Sequence, residues 1–319
     1  MMTSTRPTDP APALSHQCFY SGTDAHPIYV DRLCRTDAAL HASSPAPIVM
    51  LHGAFHTGAC YHTTPDGREG WAPWFARQGR TVYVVDWPGH GRSPRRDDFA
   101  QLSGRTMAES IAVLVQQVAR EEAAPVVMAH SASGPMAWWL AEQHRASVAA
   151  VVGVAPGAPG NLLPELPDDP LRIAALSHDE SLGCPMYSPL DRPVQVGPEF
   201  MRSFWASAPR FPHAAFQAYA RSVVAESARL VNERFNIGGT ALRIERPQRV
   251  GERPVLVVTG PLDPRHPRAA DEAVATFFGG EFMWLPDLGI DGNGHMLMIE
   301  DNNLQIAERI ERWLNAREL

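Results

Sequence analysis

The sequence predicts one α/β domain in which a mostly parallel central sheet carries helices on both faces and a helical insertion interrupts the chain. Short apolar runs alternate with helical segments from about residue 47 to residue 154, which is typical of a parallel sheet. This alternation stops at Ala155 and resumes at Pro254. A chain of 319 residues with 45% hydrophobic content can bury one large core of this kind.

The individual elements follow from apolar periodicity and from residues that start or stop helices. Two short strands at Cys18–Tyr20 and Ile28–Leu33 precede a buried strand that begins at Pro47. A later helix is expected to open at Thr106, where residues 106–109 fit a capping box. The other predicted strands are Thr81–Val85, Pro125–Met128, Val148–Val154, Pro254–Val258 and Phe282–Leu285, and the other predicted helices are Trp71–Arg77, one from Pro135, Arg268–Phe278 and one through Ile306, Ile310 and Trp313.

These elements divide the chain into four segments. Residues 1–16 form a flexible N-terminal tail, 17–156 the first part of the core, 157–250 a helical cap or lid insertion, and 251–319 the second part of the core. The insertion is first rich in Pro and Gly and then helical and aromatic. We therefore expect it to lie over the sheet.

Composition excludes several classes of protein. The net charge of −7 and the absence of a basic run argue against nucleic acid as a partner. No window approaches the roughly 20 apolar residues of a bilayer span, and the polar N-terminus lacks a signal-peptide pattern, so we expect a cytoplasmic protein without a membrane partner. The four cysteines contain no C-x-x-C pair, and no metal site is predicted.

Ser131 is the candidate nucleophile. It follows a buried strand and precedes a helix, and the residues two places away, Ala129 and Ser133, are both small. A nucleophile elbow needs this arrangement, because bulky neighbours would collide at the tight strand-to-helix turn. Serine is also common as a helix N-cap, so the segment alone leaves that alternative open. Ser133 is the competing nucleophile, but it would place Pro135 where a small residue is required.

An acid and a base follow in the chain order that such an elbow requires. Asp263 comes after the strand that begins at Pro254, at the carboxyl edge of the sheet, and His295 precedes the last helix. His295 can then act as general base while Asp263 fixes its tautomer. Of the other histidines, we expect His130 and His52 to be structural and His266 to lie at the surface.

Two backbone N–H groups are needed to stabilise the oxyanion that such a nucleophile creates. Ala132, directly after Ser131, supplies one of them. The other comes from the loop after His52-Gly53, with Ala54 as first choice and Phe55 as second.

At these residues the sequence resembles the α/β-hydrolase superfamily, and within it a branch of bacterial esterases. The resemblance implies an α/β-hydrolase fold with a mobile cap, no cofactor, and hydrolysis of carboxylic esters. The segments that carry it are His52-Gly53, Thr64-Pro65-Asp66-Gly67-Arg68-Glu69-Gly70-Trp71, Val84-Val85-Asp86, Gly89-His90-Gly91-Arg92-Ser93, Gly292-Asn293-Gly294-His295-Met296 and Asn302-Asn303.

The sequence departs from this branch at the acid. The branch places Glu-Pro-Gly after the sixth strand and uses that glutamate, whereas this chain has Ala155-Pro156-Gly157. Asp263, at the position used by most of the superfamily, is the expected replacement, and Asp271, Asp287 and Asp291 remain alternatives.

The predicted function is that of a serine hydrolase cleaving a carboxylic ester or lactone of a small, largely apolar substrate. Trp138, Trp205 and Phe204 are the candidate substrate-binding residues, although aromatic residues of a cap also serve as its core. The alternatives are an amidase and a non-hydrolytic protein of the same fold, either a lyase or a binding module. The expected partners are a small-molecule substrate and, as an open alternative, a second copy in a homodimer.

Overall fold

The computed structural model describes residues 12–37 and 44–319. Its strands are β1 (Leu14–Gly22), β2 (Pro27–Arg35), β3 (Ile48–Leu51), β4 (Val82–Asp86), β5 (Val126–His130), β6 (Ala150–Val154), β7 (Val255–Thr259) and β8 (Glu281–Trp284). They form one sheet in the order β1-β2-β4-β3-β5-β6-β7-β8. Strand β2 is antiparallel to both β1 and β4, and all other neighbours are parallel.

Helices cover both faces of this sheet. In the described ranges they are α1 (Ala59–His62), α2 (Trp71–Arg77), α3 (Gly104–Glu121), α4 (Gly134–Gln143), α5 (Pro170–Leu176), α6 (Pro198–Phe204), α7 (Phe216–Ser222), α8 (Ala228–Arg234), α9 (Pro247–Gly251), α10 (Arg268–Phe277) and α11 (Asn303–Asn315). Successive side chains of a strand point to opposite faces. Accordingly, Ile48 and Met50 of β3 pack with α2 and α11, whereas Val49 and Leu51 pack with α3, α4 and α10. The predicted fold class is confirmed.

Two predicted boundaries differ from the structure. Helix α3 begins at Gly104, because the hydroxyl of Ser103 accepts the N–H of Thr106 at 3.1 Å and so caps the helix. The predicted start at Thr106 was therefore late, because the residue that caps the helix is Ser103, three positions earlier. Residues 1–11 of the predicted tail lie outside the described residues, and β1 already begins at Leu14, which pairs with Arg35.

The segment predicted as a cap contributes helices rather than strands to the described structure. Helices α5 to α9 all lie between β6 and β7. Isolated bridges, Val194 with Glu226 and Leu166 with Ile237, tie its loops together. At its end, Val250 of α9 packs in the same apolar cluster as α4. None of the helices in the described ranges has the length and apolar composition that a bilayer span needs.

Candidate active site

Ser131 lies on a strained turn between β5 and α4. Its φ of +53° is in the left-handed region, which costs a non-glycine residue free energy. The turn is closely packed: a Cβ at Gly134 would lie 2.6 Å from the carbonyl oxygen of Gly157, and one at Gly53 would lie 3.1 Å from the Cβ of Ser131. Positions 53 and 134 beside the serine therefore leave no room for a side chain.

His295 bridges Ser131 and Asp263. The hydroxyl of Ser131 lies 3.1 Å from Nε2 of His295, and Nδ1 of His295 lies 2.7 Å from Oδ2 of Asp263. In this arrangement Nδ1–H donates to the carboxylate and Nε2 is free to accept the serine proton. The structure brings the three predicted residues together in the geometry of a Ser-His-Asp triad.

Ser133, the competing nucleophile, points away from this site. Its hydroxyl is buried and lies 3.1 Å from the carbonyl oxygen of Leu51 and 2.8 Å from that of His130. This hydroxyl therefore donates its proton to the backbone, and no side chain that could act as a base is hydrogen-bonded to it.

The electrostatics of the triad suit a neutral base and an ionised acid. Burial lowers the pKa of His295, and the adjacent Asp263 only partly offsets this effect. Burial alone would raise the pKa of Asp263, but His295, His266 and the backbone N–H of Arg265 hold the pKa at about 2. Near neutral pH, therefore, His295 is predominantly an unprotonated imidazole facing a carboxylate.

The alternative acids lie elsewhere. Asp271 accepts hydrogen bonds from Thr259 and from Nδ1 of His266, and both Asp287 and Asp291 are exposed. Ala155 is fully buried at the end of β6, where its N–H donates to the carbonyl of Val258.

Two histidines, His130 and His266, contact the base, whereas His52 packs in the loop beside Trp87. His130 donates from Nε2 to the carbonyl of His295 at 3.0 Å, and His52 donates to the carbonyl of Gly53 while its Nε2 accepts the N–H of Trp87. The expectation that His266 lies at the surface was wrong. It is buried and stacks on His295 with ring centroids 5.2 Å apart, because Asp271 draws its Nδ1 inward.

The loop that carries His295 is held by the segment that the resemblance singled out. Arg68 donates to the carbonyls of Glu300 and Ile299 at 2.9 and 3.1 Å, and the indole N–H of Trp71 donates to the carbonyl of Asn303 at 2.9 Å. Buried Glu300 accepts the N–H of Gly294 at 2.7 Å. This segment and the carboxylate fix the position of the histidine loop.

The two first-choice donors of the predicted oxyanion hole lie beside the nucleophile. Ala54 and Ala132 both line the cavity that contains Ser131. In the described part of the chain, the N–H of Ala54 has no acceptor. The second choice, Phe55, is contradicted, because its N–H donates to Oε2 of Glu226 at 3.0 Å.

Glu226 is a buried residue of the candidate site that the sequence analysis did not single out. It is fully buried, and the same Oε2 that accepts from Phe55 lies 3.1 Å from Nε2 of His90. The carbonyl of Phe55 in turn accepts the N–H of Val224 at 2.9 Å. The predicted cap segment is therefore anchored directly to the predicted oxyanion loop. The contact joins residues 171 positions apart, and no local sequence pattern indicates it.

A cavity of about 560 Å³ opens onto Ser131 and His295 and is of the size of small-molecule sites. Trp205 and Phe204 line it as predicted, with Phe55, Leu230 and Phe235 among the other apolar residues. Trp138 does not line it. That side chain is fully buried, its indole N–H donates to the carbonyl of Gly157 at 3.1 Å, and its ring packs on Phe278.

One group of side chains in the described residues is compact enough to share a metal ion. It consists of Asp263, His266 and His295. Two of these residues are already hydrogen-bonded to each other, and His266 is bonded to Asp271. These hydrogen bonds explain why the three side chains lie together: two belong to the triad, and His266 is held beside them by Asp271.

Comparisons with known proteins agree with this architecture. A probable secreted lipase, phiG, of a fungal species (strain ATCC 74256) is 50% identical over 52 residues, which are 16% of this chain and 14% of the lipase. A pyrethroid hydrolase of Sphingobium wenxiniae is 30% identical over 130 residues, 39% of this chain and 42% of the relative. The chain thus matches less than half the length of these curated relatives.

A solved structure extends the likeness to nearly the whole fold. The esterase EaEST of Exiguobacterium antarcticum superposes with a TM-score of 0.64 at 18% identity, covering 93% of this chain and 98% of the esterase. The model of the alpha/beta hydrolase family matches residues 48–309, which contain all three residues of the triad. The chain belongs to the alpha/beta hydrolase family.

Proposed function

We propose that this protein is a serine hydrolase that cleaves a carboxylic ester or lactone of a small, largely apolar substrate through an acyl-enzyme intermediate. The observation that carries the proposal is the pair of hydrogen bonds made by His295, 3.1 Å to Ser131 and 2.7 Å to Asp263, at the floor of the cavity. No other serine in the described residues has this combination of base, acid and cavity.

In the first half of the reaction, Oγ of Ser131 attacks the carbonyl carbon as Nε2 of His295 takes the hydroxyl proton. The N–H groups of Ala54 and Ala132 stabilise the oxyanion, and Asp263 stabilises the imidazolium. When the tetrahedral intermediate collapses, His295 gives the proton to the leaving alkoxide. In the second half, His295 activates a water molecule that releases the acid and restores the serine.

The residues that line the cavity wall are the reason for proposing a largely apolar substrate. Trp205 and Phe204 face it from the segment above the sheet, and Ile173 and Leu230 add aliphatic surface. Burial of apolar area on such a wall contributes roughly 25 cal/mol per Å². An ester with a short alkyl or aryl acyl group fits this lining.

The non-hydrolytic alternative loses its main support. It was motivated by the absence of the branch's glutamate at Ala155, and Asp263 supplies a carboxylate to His295 in its place. Amide hydrolysis uses the same triad and is distinguished by experiment.

The test is a panel of p-nitrophenyl esters of increasing acyl length, with matched lactones and anilides, assayed on the purified protein. We expect ester turnover well above the rate without protein, with an optimum at short or medium acyl length. Turnover of anilides at rates comparable to esters would favour an amidase. No turnover of any member would contradict the proposal.

A further inference from the structure

The charge distribution of the cavity is one-sided. None of the described residues that line it is Asp or Glu, and its charged side chains near neutral pH are two arginines, Arg234 and Arg265. The protein as a whole carries a net charge of −7, so this cationic lining is not a reflection of overall composition. It would favour an anionic group over a cationic one at this place.

Arg265 is already engaged by the protein. One of its Nη atoms donates to the carbonyl of Gly183 at 2.5 Å, and the guanidinium stacks on Phe204 at 3.8 Å from the ring centroid. Burial lowers its pKa to about 10, which leaves it charged near neutral pH. Arg265 is thus a structural part of the wall that also contributes positive potential.

Arg234 differs, because its guanidinium has no carboxylate or carbonyl partner among the described residues. Its neighbour on the same helix, Arg229, pairs with Glu233 at 3.1 Å. Arg234 is half-buried in the wall, and burial lowers its pKa while Asp263 and Asp271 oppose this. Arginine nevertheless stays protonated in proteins. The Arg234 guanidinium lies over the Phe235 ring at 5.3 Å from its centroid, and its N–H donors are left for an anion that enters the cavity.

The position of Arg234 places it near the reaction. It lines the main cavity and also a smaller adjoining cavity of about 40 Å³, and Ser131 and Ala132 line both. Glu233 also lines the smaller cavity, but its carboxylate already accepts from Arg229 and from the N–H of Gly104. A group that reaches Arg234 from the reacting carbonyl therefore needs only a short spacer. The five N–H donors of a guanidinium fit a carboxylate in a bidentate manner.

We propose that Arg234 is the recognition site for a carboxylate on the substrate, so that the ester taken by this site has an apolar body and one anionic end. This inference rests on the proposed function, since it assigns the substrate class of the same site. The carboxylate can belong to the acyl group, as in a monoester of a dicarboxylic acid, or to the alcohol, as in an ester of a hydroxybenzoate.

Matched substrate pairs test the inference and distinguish the two sources. The acyl pairs are mono-p-nitrophenyl esters of succinate, glutarate and adipate with their terminal carboxamides, and the alcohol pair is 4-acetoxybenzoate with 4-acetoxybenzamide. We expect kcat/KM of the wild type to favour the charged member of at least one pair by about tenfold or more. In Arg234→Gln this ratio should fall towards one, and in Arg234→Lys it should be intermediate.

Arg221→Gln is the matched control, because Arg221 is an exposed arginine of the same segment that does not line the cavity. It removes the same charge and should keep the wild-type ratio. Equal or greater kcat/KM for the neutral member in every pair, or a preference for the charged member that survives Arg234→Gln, would overturn the inference.

A binding measurement separates this inference from the proposed function. Calorimetric titration of Ser131→Ala with succinate, glutarate, adipate and 4-hydroxybenzoate requires no turnover. We expect binding of at least one of them, weakened by added salt and lost when Arg234→Gln is combined with Ser131→Ala. If the carboxylates bind but the wild type has no esterase activity, the proposed hydrolase function is contradicted and the anion site is supported. If the wild type has esterase activity but no carboxylate binds, the hydrolase function is supported and the anion site is contradicted.

Discussion

The carboxyl edge of the sheet and the wall of the cavity above it differ in how their polar groups are held. At the sheet edge, His295 is bonded at both ring nitrogens, and its loop is fixed by Glu300 and Arg68. In the wall, by contrast, apolar side chains predominate, and Arg234 has no hydrogen-bond or ion-pair partner among the described residues. Under the proposed function, the edge carries out the reaction and the wall selects the molecule that undergoes it.

Glu226 connects the two regions. It belongs to the segment between β6 and β7, yet its carboxylate holds the N–H of Phe55 in the oxyanion loop. The separation of reaction from recognition therefore predicts large effects on kcat at the edge, an intermediate effect at Glu226, and effects on KM or substrate preference in the wall.

The largest expected effect is that of Ser131→Ala. Removal of the nucleophile should lower kcat for an activated ester by about 10⁴-fold or more with an unchanged fold. Ser133→Ala is the matched control, because that hydroxyl binds only backbone carbonyls, and it should retain substantial activity. Steady-state kinetics with circular dichroism check both. If Ser133→Ala were inactive and Ser131→Ala active, the nucleophile would be Ser133 and the assignment of Ser131 would be wrong.

The second-largest loss of activity is expected for Asp263→Asn. The amide keeps the shape of the side chain but cannot stabilise the imidazolium, so we expect kcat to fall by about 10⁴-fold while KM changes little. Thermal unfolding should show a small change in Tm compared with the loss in rate. A kcat within a few-fold of the wild type would mean that the 2.7 Å contact with His295 has no catalytic role.

The intermediate case is Glu226→Gln, which weakens the anchor of the oxyanion loop. Displacement of Ala54 costs part of the oxyanion stabilisation, and we expect kcat to fall roughly tenfold to a hundredfold. Glu142→Gln is the control, since Glu142 is another fully buried glutamate that accepts a backbone N–H, that of Arg246, away from the cavity. It should lower Tm with little change in kcat. Equal losses of kcat in both variants would indicate general destabilisation.

The smallest effect is expected in the wall. Phe204→Ala removes apolar surface from the cavity, so KM for a medium-chain ester should rise about threefold to tenfold with kcat nearly unchanged. Trp138→Phe should leave KM unchanged and lower the free energy of unfolding by about 1 kcal/mol, because it removes the bond to the carbonyl of Gly157. The opposite result, a raised KM only in Trp138→Phe, would contradict the placement of these two residues.

The sequence predicted the sheet edge far better than the wall. Parallel strands bring their carboxyl ends to one edge, so the chain order of Ser131, Asp263 and His295 was sufficient to place them together. The small residues of the elbow follow from local sterics and are also visible in the sequence.

The residues of the cavity wall had no comparable pattern in the sequence. Its helices α5, α6 and α8 are each seven residues long, too short for a clear apolar period, so tertiary packing decides which side chains face the cavity. Tertiary packing also explains why Trp138 was assigned wrongly. It lies in α4, and its ring packs on Phe278 within an apolar cluster against the sheet instead of lining the cavity. Arg234 resembled an ordinary cation in the last turn of a helix.

The most direct test of the account is covalent labelling with a fluorophosphonate, followed by peptide mass mapping. We predict one phosphonyl group per chain, attached to Ser131, and a labelling rate that falls by orders of magnitude in His295→Ala, because the base is needed to activate the serine. Labelling confined to Ser133 or another serine, or no labelling of the folded wild-type protein, would contradict the assignment of Ser131 and His295 as a catalytic pair.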